Sequence, residues 1–242
     1  MPEQNTPEYN ILPLIGDAAP AFTAATTDGV VKFPSDYAGK WVILFSHPND
    51  FTPVCTTEFI AFQNIIEELR ALNTEIIGLS VGANSSHLAW FDAIEKISLN
   101  GKKTKITFPL IDDLNMHVAR LYGMIHPNTS GTHAVRAVFF IDPKGIIRTI
   151  LYYPAMVGRN FDEIKRILIA LQVGDNFGTP TPANWEMGKP VLLGAPSTSK
   201  QMYERANSKK AGLDVKAWFL TFKKLPIDTI LAKLHKSKKK SK

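Results

Sequence analysis

Trp41-Val42-Ile43-Leu44-Phe45-Ser46-His47-Pro48-Asn49-Asp50-Phe51-Thr52-Pro53-Val54-Cys55-Thr56-Thr57-Glu58 changes periodicity in its middle. Trp41 to Ser46 is a short, nearly unbroken apolar run, the pattern of a strand buried on both faces. From Thr56 to Leu72 the apolar positions Phe59, Phe62, Ile66 and Leu69 keep to one helical face, so a helix is predicted there. Thr52 suits the N-cap and Pro53 the first helical position, which places Cys55 in the first turn among amide N–H groups with no partner in the helix. The partial positive charge at that end favours a thiolate, whereas an ordinary cysteine is only a few per cent ionised at neutral pH. Cys55 is the only cysteine of 242 residues. Its position points to a nucleophile rather than to a small buried hydrophobe.

Working outward, Glu75 to Val81 and Phe108 to Ile111 read as strands, and Ser86 to Ile97 and Leu114 to Tyr122 as helices. Val135 to Ile141 and Ile146 to Tyr152 are β-rich runs joined by Asp142-Pro143-Lys144-Gly145, a turn signal that predicts a hairpin. Asn160 can cap a further helix with Glu163 reaching back to it, and Phe161, Ile164, Ile167, Leu168 and Leu171 form its buried stripe. This order suits a mixed α/β sheet flanked by helices. Gly174 then opens a loop, and the stretch to Pro196 is rich in Gly and Pro. Asp214 to Leu234 has helical apolar spacing broken at Pro226.

The ordered set Pro48, Thr52 and Cys55 resembles the peroxidatic-cysteine motif of the peroxiredoxins. The surrounding residues are similar to the one-cysteine class with a long C-terminus. Further matches lie in Arg136-Ala137-Val138-Phe139-Phe140-Ile141-Asp142-Pro143, in Tyr153-Pro154-Ala155-Met156-Val157-Gly158-Arg159-Asn160 and in Pro182-Ala183-Asn184-Trp185. The resemblance runs from about Leu14 to about Leu193. It implies a thioredoxin-like peroxidase domain over 14–173, after a flexible N-terminus at 1–13. A small C-terminal dimerisation extension over 174–234 follows, and then a basic disordered tail at 235–242. It also implies a thiol peroxidase that reduces hydrogen peroxide and organic hydroperoxides through a Cys55 sulfenic acid. The assembly it implies is a homodimer or a higher ring.

In that chemistry Cys55 attacks the peroxide. Arg136 resembles the arginine that stabilises thiolate and developing oxyanion, a task suited to a permanently charged group with several fixed donors. The Thr52 hydroxyl can donate to peroxide, and Pro48, with no N–H, closes the pocket floor. Glu58 and Arg159 resemble the pair that orients Arg136. His47 can relay a proton or hold the leaving group. With no second cysteine, the sulfenic acid calls for an external thiol, glutathione or a thioredoxin-like protein.

Hydrophobic content of 45% with 21% charged residues describes an ordinary globular chain. No signal peptide or membrane-length apolar run is visible, so no membrane partner is expected, and one cysteine suits a reducing, cytoplasmic setting. Residues 1–187 carry 14 Lys/Arg against 19 Asp/Glu, and residues 188–242 carry 14 against 3. A basic tail thus follows an acidic body, but such a lysine run reads as solvated rather than as a nucleic-acid site. His87, His117, His126, His133 and His235 lack metal-ligand spacing, and no glycine-rich phosphate loop follows a strand, so neither metal nor cofactor is expected. A redox sensor or holdase could use the same cysteine. A more distant rival is a serine hydrolase at Gly78-Leu79-Ser80-Val81-Gly82, a nucleophile-elbow pattern. Some members of the resembled class have a lipase-like activity tied to a serine before the cysteine strand, and here Lys40 holds that position.

Overall fold

The structure, a computed structural model, describes residues 12–99 and 101–235. It divides into two compact units. One contains the residues up to Ile66 together with Thr74–Arg159, the other Glu67–Asn73 with the residues from Asn160 onward.

In the first unit a seven-stranded mixed sheet is built from β1 (Phe22–Thr26), β2 (Gly29–Phe33), β3 (Trp41–Ser46), β4 (Thr74–Ser80), β7 (Leu110–Asp112), β8 (Arg136–Ile141) and β9 (Ile147–Tyr153). Its order is β2-β1-β7-β4-β3-β8-β9. β3, β4 and β7 run parallel, and antiparallel pairs extend the sheet on either side. Two short strands, β5 (Ser98–Leu99) and β6 (Lys102–Lys103), pair with each other in a separate two-stranded sheet. The helices are α1 (Pro53–Ala71), α2 (Asn84–Lys96) and α3 (His117–Leu121). Helices flanking such a mixed sheet are the thioredoxin-like arrangement expected from the sequence.

All six residues of β3 are buried, as the unbroken apolar run requires. Val42 and Leu44 join one core with Ile77, Tyr122, Ala137 and Phe139. Phe45 points the other way, where its ring stacks on Phe62 of α1 at 4.3 Å and meets Phe59 edge-on at 5.4 Å. β4 must pass close to these rings. A Cβ on Gly78 would lie 3.0 Å from the Phe45 ring, so any larger residue there would have to displace that ring.

Most predicted elements appear within a few residues of their expected ends. The β1–β2 hairpin was absent from the sequence reading, although its turn carries Asp28-Gly29 with Gly29 at φ 98°. α3 is shorter than Leu114–Tyr122. Met116 adopts φ 58°, and the buried Asp113 carboxylate accepts the amides of Val118 and Ala119, which starts the helix late.

In the second unit, α4 (Phe161–Phe177) is capped by Asn160, whose side chain accepts the N–H groups of Asp162 and Glu163. Glu163 does not reach back. Its carboxylate binds Arg166 one turn on, a charge-assisted contact that outcompetes the capping box. The helix runs through Gly174 and ends at Gly178, in the left-handed conformation, with its N–H on the Gly174 carbonyl. Beyond it come β10 (Val191–Leu192), α5 (Ser199–Ala206), β11 (Leu213–Ala217), β12 (Leu220–Lys223) and α6 (Ile227–Leu234). The helical spacing read over 214–234, broken at Pro226, therefore becomes helix only on the far side of that proline. β11 alternates half-buried and exposed residues and pairs with β12, and the helix begins after Pro226. The expected flexible N-terminus and disordered tail lie outside the described residues, apart from Leu12, Pro13 and His235; Leu12 lies against Gly123, and His235 is the C-cap of α6.

Candidate active site

The loop from β3 to α1 is fastened at several points. Ser46 ends β3, where the β3–β8 ladder stops at Phe45↔Val138. Its hydroxyl continues that ladder by donating to the Val135 carbonyl at 2.6 Å and accepting the Ala137 N–H at 3.1 Å. The His47 amide donates to Leu79 of β4. Phe51 then takes φ 55°, an uncommon conformation for an aromatic residue, and the Thr52 hydroxyl donates to the Asn49 carbonyl at 2.9 Å. The Thr52 carbonyl accepts the Thr56 N–H, the first bond of α1. Cys55 therefore sits in the first helical turn. Thr52 uses its proton within the loop, so toward a ligand its oxygen offers lone pairs. Pro48 is half-buried in the same loop.

Cys55 has no exposed surface, and Arg136, at the start of β8, aims one guanidinium nitrogen at its sulfur from 3.3 Å. That nitrogen also donates to Glu58 at 2.6 Å. The other donors of Arg136, Nε and the second terminal nitrogen, both bind the Ala155 carbonyl, at 3.0 and 2.7 Å. Glu58 lies one turn after Cys55 and accepts from Arg159 as well, through its backbone N–H, its Nε and a terminal nitrogen at 2.9, 3.0 and 2.6 Å. The remaining Arg159 nitrogen binds the Ser46 and Ala137 carbonyls, and the guanidinium lies 5.0 Å over the Phe45 ring. Burial pushes the Arg159 guanidinium below its ordinary range, and Glu58 opposes that push. Arg136, Glu58 and Arg159 are each 5% exposed or less. Two cations and one anion are therefore enclosed with the thiol, a surplus of one positive charge.

His47 is fully buried against the rings of Phe59 and Trp90, which also touch each other. Its Nε2 lies 3.1 Å from Asp50 Oδ1, while Nδ1 is buried with no hydrogen-bond partner among the described residues. Asp50 Oδ2 receives the Ser86 hydroxyl and His87 Nδ1, each at 2.7 Å, and His87 Nε2 lies 3.2 Å from the Ile111 carbonyl. Burial works against the charged Asp50, but the hydrogen bonds from His47, His87 and Ser86 outweigh it and hold the carboxyl well below its ordinary range. For His47 burial dominates and lowers it from the usual histidine range, against the opposing pull of Asp50.

Cys55, Arg136, Glu58 and Arg159 are thus in direct contact, and Thr52, Pro48 and His47 belong to the loop that delivers the cysteine. Sequence reasoning missed the Ala155 carbonyl, because a backbone acceptor leaves no residue signature. It also missed Asp50 and His87. Asp50 stood visibly three residues after His47, but His87 is brought to it only by α2. Ser80, the rival nucleophile, is 1% exposed at the end of β4. α2 does not start until Asn84, and no hydrogen bond joins the Ser80 hydroxyl to a histidine among the described residues. The elbow geometry is absent. Lys40 pairs with Glu75 at 2.8 Å.

The AhpC/TSA family model matches residues 15–150, and the model for the C-terminal domain of 1-Cys peroxiredoxin matches residues 170–208. A peroxiredoxin of Methanosarcina mazei is 55% identical over 215 residues, spanning 88% of this chain and 98% of that protein. Peroxiredoxin 2 of Caldanaerobacter subterraneus subsp. tengcongensis is 50% identical over 214 residues, 88% of this chain and 94% of its own. Among solved structures, a yeast mitochondrial 1-Cys peroxiredoxin, described as having its thiol resolved via glutathione/thioredoxin systems, superposes with a TM-score of 0.77. It is 38% identical over 88% of this chain and 99% of its own. A cysteine-to-serine variant of peroxiredoxin 6 of Arenicola marina gives a TM-score of 0.77 at 31% identity, covering 88% and 98% of the two chains.

Proposed function

This chain belongs to the peroxiredoxins, which are thiol peroxidases, and from that premise we propose that Cys55 is the sulfur that attacks peroxide. The observation that carries this reading is the charge imbalance around it. Arg136, Arg159 and Glu58 leave one positive charge unpaired among buried side chains, and a Cys55 thiolate is the anion that cancels it. The Arg136 nitrogen that binds the sulfur is positioned to follow negative charge as it moves onto oxygen.

The thiolate attacks one peroxide oxygen. An S–O bond forms as the O–O bond breaks; the proton that Cys55 released on ionising returns to the departing oxygen, which leaves as water or alcohol, and Cys55 is left as a sulfenic acid. Hydrogen peroxide and organic hydroperoxides both contain the bond required. The bare Nδ1 of His47 is a buried acceptor able to hold the peroxide proton during this exchange. Thr52 and Pro48 shape the loop that admits the peroxide. Glu58 and Arg159 hold Arg136 in place.

With one cysteine in the sequence, an external thiol restores the enzyme. It attacks the sulfenic sulfur, expels water and forms a mixed disulfide that a second thiol cleaves. Glutathione or a thioredoxin-like protein supplies that thiol, as described for the yeast relative. The enzyme works as a homodimer, or a higher ring, in the reducing cytoplasm. Among the described residues no helix is long and apolar enough to cross a membrane.

The test is a peroxide-consumption assay with a panel of thiol reductants, alongside intact mass. Cys55→Ser is expected to retain less than about a tenth of the activity, because only the thiol ionises readily. Excess peroxide without reductant should add one, two and then three oxygens to Cys55. Activity preserved in Cys55→Ser would overturn the assignment.

A further inference from the structure

The cluster of His47, Asp50, Ser86 and His87 poses a problem of proton placement that its geometry resolves. The Ile111 carbonyl can only accept, so His87 Nε2 at 3.2 Å must carry a proton. On the other side of the ring, Nδ1 lies 2.7 Å from Asp50 Oδ2, which already receives the Ser86 hydroxyl. With Asp50 ionised, that nitrogen must donate too. Every contact of His87 is then met only by the doubly protonated ring, an imidazolium beside a carboxylate with no net charge. The other oxygen of Asp50 is left to accept from His47 Nε2. The proton of a neutral His47 is thereby fixed on Nε2, and its Nδ1 is the bare, buried, unpartnered atom.

We propose that Asp50 and His87 are positioning residues for peroxide reduction: as a buried carboxylate–imidazolium pair they hold His47 neutral, with its proton on Nε2 and its Nδ1 free to accept from peroxide. The inference rests on the reading of His47 as that acceptor. Asp50 alone would orient His47 but would also favour its protonation. The charge on His87 cancels that effect, so the two together supply orientation without a charged ring. The groups that bear on His47 are Asp50 from its own loop, His87 from α2 and Arg159 from the segment after β9. The first attracts a proton to it and the other two repel one. Ser86 steadies the pair without altering its charge. Among the described residues no group of three or more His, Cys, Asp or Glu side chains is arranged to hold a metal ion, and the contacts here are direct hydrogen bonds.

The first measurement is a long-range nitrogen–proton NMR spectrum of the wild-type protein labelled in its histidine rings, near neutral pH. His87 should show both nitrogens protonated, and His47 a proton on Nε2 alone. A singly protonated His87, or a His47 proton on Nδ1, overturns the proposal without any variant needing to fold. The second is the rate of Cys55 oxidation by hydrogen peroxide against pH in His87→Gln. Loss of the cation leaves Asp50 uncompensated, so His47 should hold its proton to higher pH. Oxidation should then fall by about tenfold on the acid side and recover toward wild type as pH rises. A profile parallel to wild type, or a uniform loss at every pH, overturns the pair's role. His47→Gln separates the two readings. If it oxidises at the wild-type rate, His47 is no acceptor and that reading fails. If it is slow while His87→Gln is unaffected, the acceptor stands and the pair falls.

Discussion

Two buried ionic clusters lie at the ends of β3 and β4, and they differ in whether they close on themselves. His47, Asp50, Ser86 and His87 balance with no net charge, and among the described residues only the His47 Nδ1 is left without a partner. Arg136, Glu58 and Arg159 do not balance, because one carboxylate faces two guanidiniums and the remaining donor points at sulfur. A closed cluster holds geometry. An open one demands a ligand of definite charge, and under the proposed function the cysteine is that ligand. The difference gives four expectations.

The largest effect is expected at the shared carboxylate. Glu58→Gln leaves two buried guanidiniums facing one thiolate, and breaking a buried pair in this way costs about 3–5 kcal/mol. Chemical denaturation measures it directly, and a loss under about 1 kcal/mol would show the cluster to be more solvated than its burial indicates. Next comes Arg136→Lys, which keeps the charge but cannot reach Cys55, Glu58 and Ala155 together. Stopped-flow oxidation of Cys55 should slow by roughly tenfold or more. An unchanged rate would mean that charge alone matters in the open cluster.

The closed cluster should reveal itself through pH. Folded His47 is held below the ordinary histidine range by burial, so the unfolded chain takes up a proton near about pH 6.5 while the folded ring does so only at lower pH. The stability His47 contributes is therefore complete above that value and declines as pH falls below it. Denaturation at pH 7.5 and 5.5 should show a larger loss in wild type than in His47→Gln, and equal losses would break the assignment. The smallest effect is expected at Lys40 and Glu75, whose 2.8 Å contact is nearly as short as those of Glu58 but is exposed. Lys40→Ala should cost no more than about 0.5 kcal/mol by the same measurement.

The open cluster was also the more legible in the sequence. Cys55 and Glu58 sit one helical turn apart, and Arg136 and Arg159 stand in recognisable stretches. The closed cluster needed α2 to carry His87 to Asp50, a placement no local pattern encodes. The same division holds for the fold. β3 and the β8–β9 hairpin could be read because full burial and Asp142-Pro143-Lys144-Gly145 are local signals. β11 could not, since half-buried alternation over Leu213–Ala217 was outweighed by apolar residues at helical spacing further on. α4 outran its expected end because Gly174 is tolerated inside a helix already held by its stripe, and the stop is at Gly178, where the backbone turns left-handed.

The complete burial of Cys55 means that the resting and oxidised enzymes differ in electrostatic polarity. A sulfenic acid is neutral, so once peroxide has reacted, Arg136 and Arg159 again outnumber Glu58 at buried positions. A bulky reductant can reach a sulfur with no exposed surface only when the residues that cover it move. The reductant arrives as a thiolate, bearing the charge that the oxidised site has lost. Each half of the cycle thus prepares the site for the reagent of the other.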